Sequence, residues 1–332
     1  MPQLRQDIVT GKWVIIATER ARRPHSFSET KRIVSKKRTI CPFCYGNEYM
    51  TPLEVLAFRD NGEPNSSGWK VRVVPNKFPA LIPEGKPELI KNGIYFTMNG
   101  VGAHEVIIHS PNHDLLLPLM NEKQIELVLK AYLIRYKELS EDPNLKFIHI
   151  IINHGKEAGA SLDHPHSQLF GLPIVPNFVL DELDGAKRYF DKFEKCVFCE
   201  IIKKELQDGK RIIEETDKFI AFEPFASKLP FETLIIPKKH MESFSDMGEN
   251  DLVDCSKILR NTMKKIYDGL NDPPLNYWLH SAPLRNNHKH YHWHFEIIPK
   301  LTTTGGFELG TGTIINTTLP EECAKYLRNF NK

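Results

Sequence analysis

Residues 164–170 read His164-Pro165-His166-Ser167-Gln168-Leu169-Phe170, and residues 290–296 read His290-Tyr291-His292-Trp293-His294-Phe295-Glu296. In both stretches histidines recur at every second residue, the period at which an extended strand returns its side chains to one face. Residues 164, 166 and 168 are therefore expected to share a face, and 292, 294 and 296 to form the matching set.

Working outward, the signals around the two stretches also occur twice and in the same order. Cys41-Pro42-Phe43-Cys44 is matched by Cys196-Val197-Phe198-Cys199, and each pair is followed by a β-rich stretch with an apolar-proline turn, 69–81 and 219–229. Next come β-branched runs that end on a histidine, 105–113 closing on His113 and 232–240 closing on His240. Apolar spacing near 3.6 then predicts helices over 122–139 and 250–270, with Asn121 and Asn250 as N-cap candidates. Strands at 146–154 and 276–280 precede the histidine-rich strands. Two copies of one strand-strand-helix-strand-strand unit follow. The fold class is α+β, a duplicated unit with open antiparallel sheets and flanking helices. An N-terminal half spans 1–185 and a C-terminal half 190–332, joined by an acidic and aromatic linker at 181–195. Segment 24–37 reads as an exposed loop and 60–68 as a surface turn.

The 332 residues carry 44 basic and 42 acidic side chains, a formal charge of +2. That balance implies no polycationic face for nucleic acid, and small-molecule partners fit better. The first residues lack a signal-peptide core, and no run of about 18 apolar residues exists, so a cytoplasmic protein without membrane contact is expected.

Cys41, Cys44, His113 and His164 make two thiolates and two imidazoles, the donor set of a closed tetrahedral zinc site. Superimposing the halves assembles Cys196, Cys199, His240 and His292 as a second site. A competing convergence of Glu182, His280, His292 and His294 leaves Cys196 and Cys199 unexplained. A zinc-ribbon module is the non-enzymatic rival; there Cys pairs lie about 15–20 residues apart, whereas 151 residues separate Cys44 from Cys196.

If His164 ligates metal, the backbone around His166 is clamped. An imidazole held in one tautomer is an effective nucleophile toward phosphorus. The small-residue loop 155–161, containing Gly159 and Ser161, offers backbone and hydroxyl donors to phosphate oxygens. Gln168 adds a neutral amide that can donate without supplying a proton. In the second half Glu296 stands where Gln168 would, its carboxylate would repel phosphate, and His294 reads as structural.

With these residues in place, the chain resembles the galactose-1-phosphate uridylyltransferases of the histidine-triad superfamily over nearly its whole length. The resemblance rests on residues 7–14, 20–24, Cys41 and Cys44, 74–79, Ser110-Pro111-Asn112-His113, Asn153 and the His164 to Gln168 motif. It implies a duplicated α+β fold, a homodimer, zinc on Cys41, Cys44, His113 and His164, and attack by His166 on the α-phosphorus. It further implies phosphoryl contacts from Gln168 and Ser161, and nucleotide contacts from Asn76 and Asn153. The implied activity is UDP-glucose–hexose-1-phosphate uridylyl transfer, with a nucleotide sugar and a sugar phosphate as partners. Segment 305–316 is instead similar to the sister ADP-glucose phosphorylases, whose substrates would be ADP-glucose and phosphate. Gly306, Gly310 and Gly312 are its expected anion donors. A dinucleotide hydrolase would need a third histidine where Gln168 stands.

Overall fold

The computed structural model describes residues 1–22 and 40–330. The loop expected at 24–37, and the end of the 20–24 motif, lie outside the described residues.

In chain order, strands β1 (Gln3–Gln6) and β2 (Trp13–Ile16) form a hairpin. The first repeat comprises β3 (Leu56–Arg59), β4 (Trp69–Pro75), the exposed hairpin β5 (Leu89–Asn92) and β6 (Tyr95–Met98), and β7 (Ala103–Ile108). It continues through α1 (Glu122–Ser140), β8 (Phe147–His154) and β9 (His166–Leu172). Helices α2 (Asn177–Phe193) and α3 (Val197–Asp208) connect it to the second repeat: β10 (Ile212–Glu215), β11 (Phe219–Phe222), β12 (Thr233–Pro237), α4 (Glu249–Gly269), β13 (Leu275–His280) and β14 (His294–Pro299). The chain closes with α5 (Gly306–Thr311), β15 (Ile314–Asn316), which joins β2 in parallel, and α6 (Pro320–Asn329).

The two repeats share one ten-stranded sheet in the order β10-β11-β12-β14-β13-β8-β9-β7-β4-β3. Its order is a palindrome about the β13–β8 seam, where Asn276 opposes Asn153. The duplicated α+β unit with open antiparallel sheet and flanking helices is as expected, and the β13–β8 pairing joins the two copies edge to edge.

Alternation then decides the faces. Ile148, Ile150, Ile152, Leu169, Tyr277, Phe295 and Ile297 point into one core, where α1 and α4 pack side by side. Each such side chain contributes roughly 1.5–3 kcal/mol by leaving water. Helix α1 begins where the Asn121 side chain accepts from the Gln124 N–H at 2.9 Å. The N-cap of helix α4 is Gly248 rather than Asn250, and the Asp251 carboxylate reaches back to accept from the Gly248 N–H at 2.9 Å.

The other face differs between the halves. Over the second repeat it is covered by α2 and α3, with Val179, Val197, Phe198, Ile220 and Phe222 in a second core. The expected linker 181–195 is therefore largely helix. Its Gly185 packs so closely that an added Cβ would sit 1.8 Å from the Val9 carbonyl oxygen, so Gly185→Ala would force α2 off the N-terminal segment. Over the first repeat the same face carries Cys41, Phe43, Val106 and Ile108, while His166 lines a cavity at the strand ends that reaches Met263 and Tyr267 of α4.

Candidate active site and metal centres

Strand β9 begins at His166, two residues later than the sequence pattern suggests, and β14 begins at His294. His164 and His292 thus sit just ahead of their strands, freed from the pleat to turn toward the cysteines. Cys41, Cys44, His113 and His164 offer ligand atoms within 4.8 Å of one another, and so do Cys196, Cys199, His240 and His292. In the first group Nδ1 of His164 lies 3.7 and 3.6 Å from the sulfurs of Cys41 and Cys44, and Nδ1 of His113 lies 3.4 Å from Cys44. In the second, Cys199 Sγ is 3.5 Å from His240 Nδ1 and 3.7 Å from His292 Nδ1. Tetrahedral bonds of about 2.3 Å to sulfur and about 2.05 Å to nitrogen set such edges at about 3.6 Å, so both donor sets fit a single small ion. The remaining nitrogen of His164 supports this: Nε2 meets the Ser110 carbonyl oxygen at 2.7 Å, which leaves Nδ1 as the lone-pair nitrogen. Cys196 is held well below the ordinary thiol range, chiefly by its hydrogen bond from Cys199.

His292 joins the cysteines and not the competing carboxylate group. Glu182, His280, His294 and Glu296 gather instead as a third cluster. There Glu182 and His280 make a 3.1 Å ion contact, bent from a straight hydrogen bond. Tyr291 donates to Glu182 at 2.7 Å, and Lys228 bridges Glu296 at 2.8 Å and Glu232 at 3.4 Å. This cluster occupies, in the second repeat, the register positions of Asn153, His166 and Gln168, with Glu182 added from α2.

His166 is buried, and its Nδ1 lies 2.8 Å from the His164 carbonyl oxygen. A carbonyl only accepts, so Nδ1 carries the proton and Nε2 keeps its lone pair. Burial pushes the pKa of His166 below the ordinary 6.5, keeping the ring neutral and nucleophilic. The Phe43 ring meets it edge-on at 5.3 Å.

Asn153, Gly155, His164 and His166 line one cavity at the ends of β8 and β9. Gly159 lies beside Asn153, since a Cβ there would stand 3.8 Å from Asn153 Nδ2. Ser161 is exposed at the end of the loop. The loop's backbone is less available than expected: the N–H groups of Ala158, Gly159 and Ala160 bond inward to Gly155 and Lys156. Gly155 has φ 82°, and a Cβ would lie 2.9 Å from Pro274, so this tight turn requires glycine. Asn76 and Gln168 meet at the ring of His104, whose Nε2 lies 3.1 Å from Asn76 Nδ2 and 2.9 Å from Gln168 Oε1.

Two neighbours of the site escaped the sequence reading. His104 lay one residue before the 105–113 run, and only its alternation with Val106 could have flagged it. Asn276 opens a recognised strand, yet only the β13–β8 pairing shows that its amide donates to Asn153 Oδ1 and to the Ala158 carbonyl oxygen, both at 2.7 Å. Segment 305–316 is also not the donor loop expected. Residues 306–311 are helical, and the Gly312 N–H is taken by the Glu308 carbonyl oxygen at 2.8 Å.

Residues 1–176 match the family model described as galactose-1-phosphate uridyl transferase, N-terminal domain, and residues 182–330 match its C-terminal domain. The chain belongs to the galactose-1-phosphate uridyl transferase family. This transferase is 38% identical over 336 residues to the ADP-glucose phosphorylase of Arabidopsis thaliana, covering 99% of this chain and 93% of that one. It is 29% identical over 340 residues to the galactose-1-phosphate uridylyltransferase of Thermotoga maritima, covering 99% and 98%. Among solved structures, the Arabidopsis ADP-glucose phosphorylase with bound ADP-glucose superimposes with a TM-score of 0.85 at 35% identity, over 100% of this chain and 99% of the other. A uridylyltransferase structure superimposes at 0.77 and 28% identity, over 99% and 97%. The transferase is thus an enzyme of the nucleotidyltransferase type. Among its described residues no helix is long and apolar enough to cross a membrane.

Proposed function

We propose that this enzyme moves a nucleotidyl group from a nucleoside diphosphate sugar to a phosphate acceptor through a nucleotidyl-His166 intermediate. The observation that carries this is the clasp between His166 Nδ1 and the His164 carbonyl oxygen at 2.8 Å. It puts the ring proton on Nδ1 and leaves the Nε2 lone pair free to attack. Nε2 attacks the α-phosphorus, the bond from that phosphorus to the bridging oxygen breaks, and the sugar 1-phosphate leaves with the electron pair. A phosphate oxygen of the acceptor then attacks the same phosphorus, and Nε2 departs as the neutral ring.

Gln168 and Ser161 are read as donors to the phosphoryl oxygens, and Asn76, Asn153 and Gly159 as the nucleotide's contacts. Zinc suits both Cys2His2 donor sets, where it would fix the backbone beside the reacting histidine. In this reading residues 1–185 form the catalytic half and 190–332 a degenerate repeat with the second metal. The resemblance adds a homodimer, and the sequence pattern favours the cytoplasm.

For the substrates, the family and its uridylyltransferase members support UDP-glucose with a hexose 1-phosphate. One specific observation favours ADP-glucose with phosphate: the higher identity and closer superposition of the ADP-glucose phosphorylase. A matrix of UDP-glucose and ADP-glucose against galactose 1-phosphate and inorganic phosphate, compared by kcat/KM, separates the two. A tenfold ratio corresponds to about 1.4 kcal/mol of transition-state preference. Turnover indifferent to every acceptor would contradict transfer and point to a hydrolase.

A further inference from the structure

The tautomer of His104 can be read from its neighbours. Its Nδ1 lies 3.0 Å from the backbone N–H of Ala80, a group that can only donate, so Nδ1 is the unprotonated nitrogen. Burial lowers the pKa of the ring, which is therefore neutral and carries its proton on Nε2. That N–H finds Gln168 Oε1 at 2.9 Å. Asn76 Nδ2 approaches the same nitrogen at 3.1 Å, but the Asn76 amide is fixed with Oδ1 on the Phe78 N–H at 2.9 Å. Two donors thus face each other, and the ring offers Asn76 no acceptor. Phe170 stacks on His104 at 4.1 Å and restrains its rotation.

We infer that His104 is a positioning residue: by taking the carbonyl of Gln168 it turns the Gln168 NH₂ group toward the phosphoryl oxygens at His166. With the amide reversed, a carbonyl oxygen would face those oxygens and repel them. The phosphoryl part of this inference rests on the nucleotidyl-His166 reading, whereas the orientation of the amide does not.

The chain carries its own comparison. Gln168 opposes Val106 and Glu296 opposes Leu234. Two residues before those partners stand His104 in the first repeat and Glu232 in the second. Where the first repeat pairs a ring N–H with an amide, the second pairs two carboxylates bridged by Lys228 at 3.4 and 2.8 Å. Both positions change together, as they must if one residue sets the hydrogen-bonding sense of the other.

The test uses His104→Glu and His104→Gln, each alone and in a Gln168→Glu background. A carboxylate at 104 only accepts, so Gln168 reverses. The rate of nucleotidyl-His166 formation is then expected to fall ~100-fold, with KM for the nucleotide sugar moving less than about threefold. A glutamine at 104 can both donate and accept, and should keep the rate within about tenfold of wild type. In the Gln168→Glu background, where no amide is left to orient, His104→Gln should cost nothing further, whereas His104→Glu adds the repulsion of two carboxylates that have no lysine between them. Long-range proton–nitrogen NMR of the unliganded, histidine-labelled protein should show the Nε2–H tautomer for the resonance that His104→Gln removes. An Nδ1–H tautomer, or a His104→Glu enzyme as fast as wild type, would overturn the inference. A wild-type protein forming no adduct with UDP-glucose or ADP-glucose would overturn the nucleotidyl reading and its phosphoryl part, with the amide orientation judged on the NMR result alone.

Discussion

His166 donates from Nδ1 to the carbonyl oxygen of His164 at 2.8 Å, and His294 makes the same clasp to His292 at 3.0 Å. The local backbone that orients the His166 imidazole is therefore present in both repeats. What separates them is the cover: His166 lines a cavity, whereas His294 lies in a buried cluster with Glu182 from α2.

The second Cys2His2 set stands apart from His166, which lies in the other repeat. Elemental analysis should find about two zinc ions per chain, and a Cys196→Ser/Cys199→Ser variant about one. Metal binding at such a site is folding free energy. The double variant should therefore melt at lower temperature yet still form the adduct on His166. An unchanged zinc content would remove the second site.

Asn276 reaches across the seam to hold Asn153 and the Ala158 carbonyl, each at 2.7 Å. Asn276→Ala leaves two acceptors without their donor, a loss of about 1–3 kcal/mol in stability. It should also lower kcat/KM about tenfold, equivalent to about 1.4 kcal/mol. Steady-state kinetics beside a denaturant melt measures both, and full activity would show that Asn153 needs no such partner.

Much of this was legible in one sequence. The doubled order of Cys pair, histidine, helix and histidine strand is periodic and local, so both repeats, both donor sets and His166 could be named from spacing. Non-local pairing could not. Nothing in residues 146–154 or 276–280 says that their strands are neighbours, which hides the role of Asn276. The linker's helical character was masked by its charge, and the partners of Glu182 were legible only in part, since the cluster takes Glu296 in place of His292. The donors of loop 155–161 and of Gly312 were overestimated because glycine-rich turns spend their N–H groups on closing themselves.

The buried Glu182 and His280 pair predicts a pH signature. Burial alone would raise the Glu182 pKa, but the charge of His280, with His294 and Tyr291, holds it well below the usual 4.5. Burial would likewise lower His280, but Glu182, with help from Glu296 and against Lys228, raises it above 6.5. The neighbouring His149 ring is pushed down to about 3, chiefly by burial, and stays neutral. The Glu182 contribution to stability is present above its unfolded value of 4.5 and is lost as pH falls through its depressed folded value. The His280 contribution is complete below 6.5 and is lost as pH rises through its raised folded value. The Tm difference between wild type and Glu182→Gln should thus be greatest between about 4.5 and 6.5 and shrink on either side. A difference independent of pH would show that the pair is not ionised in the folded protein.

The most direct measurement is intact-mass spectrometry after brief incubation with UDP-glucose and with ADP-glucose in the absence of acceptor. A nucleotidyl-His166 route predicts a mass increase of one nucleoside monophosphate with one of the two, released by adding the acceptor phosphate and absent in His166→Ala. An adduct of the same mass on the His166→Ala protein would place the nucleophile elsewhere and contradict it.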